Sequence, residues 1–336
     1  MENDTITAIE GIRVGHAQLD KIPSGCTVLL PRGGAVAGVD IRGGAPGTHG
    51  ADTLNPVNLV DRINGLFFSG GSAFGLSAAD GVREFLKERD EGFSTGHGVV
   101  PIVAGAIIFD LGVNKTGIYP DARLAREACG RASSETVAEG SVGAGSGATV
   151  AKLFGFERHV KAGVGSSLVS GAAGLKVGAL IVVNAFGEVY DPATGIKVAG
   201  ARKLPGEREP IDTIPALKKM TGFQTGFSHQ NTVIGVVATN ASFNKVQLTT
   251  VARMAHDGLA RTVFPTHTQY DGDTLFALSC GDAGTAVHNA DVSLVGALAV
   301  LAVEQAILRG VRKAHPIPGI PGGGGPQQPG RPKLTK

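Results

Sequence analysis

The peptide bond between Asn231 and Thr232 joins a polar run, Ser228-His229-Gln230-Asn231, to an apolar β-branched one, Thr232-Val233-Ile234-Gly235-Val236-Val237-Ala238-Thr239. Val, Ile and Thr favour extended backbone and no proline intervenes, so Thr232 is predicted to open a buried strand of about eight residues. If the bond before it is cut, Thr232 gains a free α-amine beside its own hydroxyl. That amine has an ordinary pKa of roughly 7.7 to 8, so it can take the hydroxyl proton near neutral pH without a histidine. The stiff χ1 of threonine helps hold the oxygen on one trajectory. The same residues also suit a plain junction, in which Asn231 closes a loop and Thr232 starts a core strand.

Other groups could serve such a nucleophile. Asp271 and Asp273, in Asp271-Gly272-Asp273, stand at i and i+2, which places both carboxylates on one side of extended backbone. Crowding of that kind raises one pKa and suits proton handling; a solvated turn is the alternative. Lys152 ends a glycine-rich run from Gly140, and Asn184 ends the apolar run Ala179 to Val183; an exposed lysine and a strand-ending turn residue are their ordinary readings. Several chemistries lack their motifs. Gly70-Gly71-Ser72-Ala73-Phe74 has Phe where a nucleophile elbow needs its second Gly, and Ser72 is better read as the cap of the helix that follows. The glycine run has Ala151 before Lys152, so it is no phosphate-binding loop, and its Gly-x-Gly-x-Gly spacing is not the dinucleotide one. None of the nine histidines stands at a metal-ligand spacing, His49 and His159 read as surface or loop residues, and no metal or cofactor is expected.

The elements that must position these groups alternate between strand and helix. Cys26 to Leu30 and Ala35 to Val39, separated by Pro31-Arg32-Gly33-Gly34, read as an antiparallel hairpin. Leu66 to Phe68 and a stretch from Val99 to Phe109 read as strands. A helix after Ser72 has the apolar face Phe74, Ala78, Val82, Phe85 and Leu86, a short helix covers Asp121 to Arg131, Asn244 caps a helix from Lys245 to about Arg261, and a long helix covers Ala290 to Arg312. The polar, Gly- and Pro-containing segment Pro192 to Phe227 reads as a linker that can be cut or rearranged, and residues 316–336 as a disordered Gly/Pro tail. This order predicts a layered α/β or α+β protein.

Bulk properties narrow the partners. A chain of 336 residues with 42% apolar residues can bury a large core, and a net charge of +2 with scattered signs gives no footprint for nucleic acid or a membrane surface. Small molecules or peptides are the expected partners. Cys26, Cys129 and Cys280 are far apart and read as buried free thiols. No secretory pattern is visible near Met1, and the apolar run Val292 to Val303 is interrupted by Ser293 and Gly296 and stops at Glu304, so a soluble cytoplasmic protein is expected.

Together, Gly70-Gly71-Ser72-Ala73-Phe74-Gly75-Leu76 with Ala78 to Val82, the run Gly143 to Lys152, Asn231-Thr232 with Val236 to Asn240, and Asp271 to Phe276 resemble the self-processing N-terminal-nucleophile peptidases. That family includes D-aminopeptidase/esterases, β-peptidyl aminopeptidases and nylon-oligomer hydrolases. Thr232 and the Asp-Gly-Asp pair resemble the last more than the serine enzymes. The resemblance implies a four-layer αββα fold, self-cleavage into residues 1–231 and 232–336, and an acyl-enzyme on Thr232 during hydrolysis of short peptides or amino-acid oligomers, 6-aminohexanoate oligomers included. It also implies that Lys152 assists the nucleophile electrostatically, that Asn184 stabilises the oxyanion, and that Asp271 and Asp273 hold the amine and hydroxyl in line. A homo-oligomer of αβ pairs, a tetramer most of all, is implied too. Phe109 stands where those hydrolases align a tyrosine, so a more apolar substrate pocket is expected. Aminopeptidase action, acetyl transfer of the ornithine acetyltransferase kind, and an uncut binding protein are the competing readings.

Overall fold

The computed structural model describes residues 3–207, 211–223, 231–281 and 286–323. Two sheets stack face to face. The first runs in the order Ile12–Gln18, Gly25–Pro31, Gly65–Ser69, Val103–Ile107, Thr48–His49; the second Val164–Ser170, Lys176–Asn184, Thr232–Thr239, Thr274–Ser279, Ala35–Ile41, Arg62–Ile63. Strand alternation divides the apolar residues among three cores. Leu29, Leu66, Phe68 and Ala104 meet Leu180, Val182, Ile234, Val236 and Phe276 between the sheets. Val177, Ile181, Val233, Val237 and Leu275 face the helices Lys245–Thr262 and Val292–Arg312. On the other side, Val28, Leu30 and Phe67 face Ala78–Lys87 and Ala122–Gly130. The layers are therefore αββα, as the resemblance implies.

Strand direction collects the chemistry at one end. Thr232–Thr239 runs antiparallel to Lys176–Asn184, with Thr232 opposite Asn184, and parallel to Thr274–Ser279. The start of the Thr232 strand, the end of the Asn184 strand and the loop before Thr274 thus share one edge. The even-numbered residues Ile234 and Val236 point between the sheets, and by the same alternation Thr232 points there too.

Some sequence expectations fail here. Gly25–Pro31 and Ala35–Ile41 are no hairpin: the first pairs with Ile12–Gln18 and Gly65–Ser69, the second with Thr274–Ser279 and Arg62–Ile63, so the turn between them carries the chain from sheet to sheet. Ser72 makes no capping hydrogen bond; it has φ +55 and opens a 3₁₀ turn, with Gly71 before it. Phe74 is exposed and stacks on Tyr119 instead of joining the core. His159 is buried. Residues 316–323 are structured: Ile320 is buried, the Lys161 N–H donates to the Pro321 carbonyl at 2.7 Å, and the Gly323 N–H donates back to Lys161 O at 3.0 Å. The rest of that tail, residues 208–210 and 224–227 of the expected linker, and Ser228 to Gln230 lie outside the described residues.

Two helix expectations hold closely, while the stretch from Val99 to Phe109 splits into Gly98–Val100, in a two-stranded ribbon, and Val103–Ile107, in the first sheet. Asn244 makes a full capping box with Gln247 at the head of Lys245–Thr262, and the long C-terminal helix spans Val292–Arg312. By length and hydropathy that helix could cross a membrane, but Val295, Ala299, Ala302, Val303 and Ile307 are buried in the core beneath the second sheet. The linker is less loose than its composition suggests. Buried Glu188 accepts from the Ala201 N–H at 2.9 Å, Tyr190 Oη at 2.8 Å and the Thr213 hydroxyl, and pairs with Lys197 Nζ at 2.9 Å. That clip ties Lys197, Ala201 and Thr213 to the strand Glu188–Tyr190.

Candidate active site

Thr232, Asn231, Asn184, Lys152, Asp271 and Asp273 are all buried at the shared edge. The Thr232 hydroxyl lies against the carbonyl oxygen of Asn231, the residue before it. That same oxygen accepts the Gly272 N–H at 3.0 Å. A hydroxyl and a backbone donor therefore meet at one peptide carbonyl. Asn231 also bridges to Asp271 in parallel β fashion.

Lys152 is delivered by the glycine run. Its backbone N–H bonds Phe186 O at 2.9 Å, the preceding Ala151 N–H bonds Gly187 O at 2.8 Å, and Ala151 adopts φ +64. The side chain then reaches Asn184, donating to its Oδ1 at 2.8 Å and its backbone oxygen at 3.1 Å. The Thr149 N–H adds a donor to Oδ1 at 3.1 Å, which orients the Asn184 amide so that Nδ2 donates to Phe109 O at 3.2 Å. Phe109 thus touches the site through its carbonyl. Burial pulls the Lys152 pKa down to about 7, against the opposing charges of Asp271 and Asp110.

The two carboxylates are not equivalent. Asp271 is pushed up to about 7 by burial and by the charge of Asp273; it accepts Thr268 N–H at 3.1 Å and Phe186 N–H at 3.3 Å. Burial also drives Asp273 upward, but bonds from His267 and Val233 outweigh it and hold the group below its usual range. Asp273 Oδ1 accepts the Val233 N–H at 2.8 Å, one residue beyond the hydroxyl. Neighbouring carboxylates with pKa values driven apart are the arrangement of a proton-handling pair.

Some contributors were not visible in the sequence. Lys161, fully buried, donates to the Gly145, Ala148 and Ala162 carbonyls at 2.9, 3.1 and 2.5 Å and so clamps the glycine run from behind. Asp110 accepts the Gly71 N–H at 2.8 Å and is raised to about 6 by burial. Gly272 is the most testable of them. A Cβ there would sit 2.6 Å from Ala45 O and 2.9 Å from Thr232 Oγ1. Gly272→Ala is expected to slow cleavage of the Asn231–Thr232 bond at least about tenfold in a folded protein, read by intact mass over time; an unchanged rate would mean the hydroxyl is not confined by this loop.

The chain is similar to several known proteins. The chain is 42% identical over 344 residues to an uncharacterized aminopeptidase of Mycobacterium tuberculosis, covering 95% of this chain and 96% of that protein. It is 31% identical over 278 residues to a 6-aminohexanoate-oligomer endohydrolase of Kocuria sp., covering 80% and 73% respectively. Among solved structures, a beta-aminopeptidase of Burkholderia sp. superposes with a TM-score of 0.71 at 22% identity, covering 93% of this chain and 87% of that one. An L-aminopeptidase D-Ala-esterase/amidase of Ochrobactrum anthropi, described as a variant of the Ntn hydrolase fold, superposes with a TM-score of 0.65 at 20% identity, covering 93% and 86%. The family model for peptidase family S58 matches residues 4–323, and the chain, an Ntn-fold hydrolase of peptide or amide bonds, belongs to that family.

Proposed function

We propose that this hydrolase activates itself by cutting the Asn231–Thr232 bond and then uses Thr232 as its nucleophile. The observation that carries the reading is the Thr232 hydroxyl set against a carbonyl oxygen already held by the Gly272 N–H. Thr232 Oγ1 attacks the Asn231 carbonyl carbon, the peptide nitrogen leaves as the Thr232 α-amine, and water hydrolyses the ester to free the Asn231 carboxylate and the hydroxyl. The fragments stay together for a topological reason. Residues 232–336 supply the two central strands of the second sheet, Thr232–Thr239 and Thr274–Ser279, and both flanks, Lys176–Asn184 and Ala35–Ile41, come from residues 1–231. Separation would tear the sheet.

In the cut enzyme the α-amine takes the hydroxyl proton, Asp271 and Asp273 align amine and hydroxyl, Lys152 provides a nearby cation or proton donor, and Asn184 steadies the oxyanion on substrate. Amide oligomers such as those of 6-aminohexanoate are the proposed substrates, carried by the endohydrolase relative and the Asp-Gly-Asp pair. Removal of N-terminal residues from short peptides is the second reading, favoured by the aminopeptidase name of the 42% identical relative. Assembly of the αβ pairs into a tetramer is part of the same proposal. Side-by-side turnover of capped and free-amine oligomers separates the two, because an aminopeptidase requires the free amine and an endohydrolase cuts both.

Phe109 refines the substrate side. Because its contact with Asn184 is through backbone, Phe109→Tyr is expected to leave self-cleavage within about threefold while changing KM for an amide oligomer. Unchanged KM and kcat would remove Phe109 from the substrate pocket.

A further inference from the structure

Asp273 is gripped on one side only by donors from its own loop neighbourhood. Its Oδ2 accepts Thr266 Oγ1 at 2.9 Å, the His267 backbone N–H at 3.0 Å and His267 Nδ1 at 2.8 Å. One residue thus places two donors on one carboxylate oxygen, and it does so by adopting φ +56, a left-handed backbone that a residue with a Cβ rarely takes. Strain of this kind persists where the surroundings over-determine it. The carboxylate oxygen can only accept, so Nδ1 carries the proton.

Behind His267, the His256 ring packs edge-on, with centroids 4.8 Å apart and planes at 72°. His256 Nε2 lies 3.0 Å from Asp40 O, which can only accept, so the proton sits on Nε2, and burial keeps this ring neutral by pulling its pKa to about 4. His267 Nε2 and His256 Nδ1 are buried without hydrogen-bond partners among the described residues, so Nδ1 is the polar output of the His267 ring.

We propose that His267 is a positioning residue for the nucleophile: its N–H and Nδ1–H fix Oδ2 of Asp273, aim Oδ1 at the Val233 N–H, and through that bond set the backbone that presents Thr232. The proposal rests on the reading of Thr232 as nucleophile. His267→Gly and His267→Asn separate its parts. Glycine keeps the backbone N–H and tolerates the left-handed φ, whereas asparagine also tolerates that φ and places an amide N–H near the Nδ1 position.

The full chain is made in the wild-type, His267→Gly and His267→Asn forms, and cleavage is followed by intact mass from pH 4 to 9. His267→Gly is expected to slow cleavage ten- to a hundredfold and to move the acid limb upward, because Asp273, buried beside Asp271, loses the side-chain donor that helps keep it ionised; behind it, among the described residues, stand neutral His256, Asp40 and Arg42, whose guanidinium pairs with Asp40 at 2.7 Å. His267→Asn should recover to within a few-fold of wild type, with its acid limb moved back toward that of wild type, because the amide returns the hydrogen bond but not the charge of the ring. Amide exchange at Val233 in uncut chains gives the second readout, expected faster in His267→Gly than in His267→Asn. If wild type is never cut, the nucleophile reading fails, and the exchange result still decides the positioning role. Equal cleavage by all three proteins, or equal Val233 exchange in both variants, overturns the inference.

Discussion

Thr232→Ala is expected to yield a single chain of about 34.1 kDa that stays whole on incubation and turns over no amide substrate, a loss of at least about a thousandfold in both reactions. The argument is one of atoms. In the described chain the hydroxyl is the group in contact with the Asn231 carbonyl, and the residue that would polarise that carbonyl, Gly272, contributes only an N–H. Removing the hydroxyl leaves the donor with nothing to stabilise. Folding should survive, since truncating a small residue at a strand end costs about 1 kcal/mol. Thr232→Ser restores the oxygen but not the methyl that restricts χ1, so cleavage should return at a rate several- to tens-fold below wild type. Intact mass at timed intervals, with circular dichroism as the folding control, checks all three proteins. Fragments splitting between Asn231 and Thr232 in the alanine protein would show that the bond is cut by another agent, and Thr232 would lose its role.

How far such a site can be read from sequence depends on whether the information is local. The Thr232 strand was legible because β-branched residues crowd into eight positions, and the Asp271/Asp273 pair because residues two apart share a side in extended chain. Asn244 announced its helix for the same reason: a capping box spans four residues. The Gly25 to Asp40 segment misled because a hairpin and a sheet-to-sheet crossover share the same short turn. Only partners far away in sequence, Thr274–Ser279 for one strand and Gly65–Ser69 for the other, decide between them. Lys161 and Asp110 were invisible for a related reason, since an isolated lysine or aspartate shows nothing of its burial. The Gly272 N–H could not be anticipated at all: which backbone donor meets Asn231 O depends on the register of a parallel bridge. His267 stands four residues before Asp271, yet its contribution comes from a positive φ that the sequence does not encode for a histidine.

Lys152→Met is expected to separate activity from stability. The side chain keeps its apolar volume but loses the ammonium that bonds both oxygens of Asn184, so the amide that should face the oxyanion is no longer oriented. Turnover should fall at least about a hundredfold, with self-cleavage slowed in parallel. Stability should move the other way. The lysine titrates near 10.5 in the unfolded chain and near 7 in the fold, so between those values the unfolded state binds more protons. Its contribution to stability is fully present above the unfolded value and is lost as pH falls through about 7, at roughly 1.4 kcal/mol per pH unit in between. Methionine carries no such term. The melting temperature of Lys152→Met, measured relative to wild type, should therefore rise as pH is lowered from 10 to 7 and level off below that. Lys161, buried and also drawn down to about 7, remains in both proteins and cancels in the difference. A variant destabilised by the same amount at every pH, and still cut at the normal rate, would reduce Lys152 to packing. The expected pattern would instead identify a buried charge kept at a cost to the fold because the site needs it.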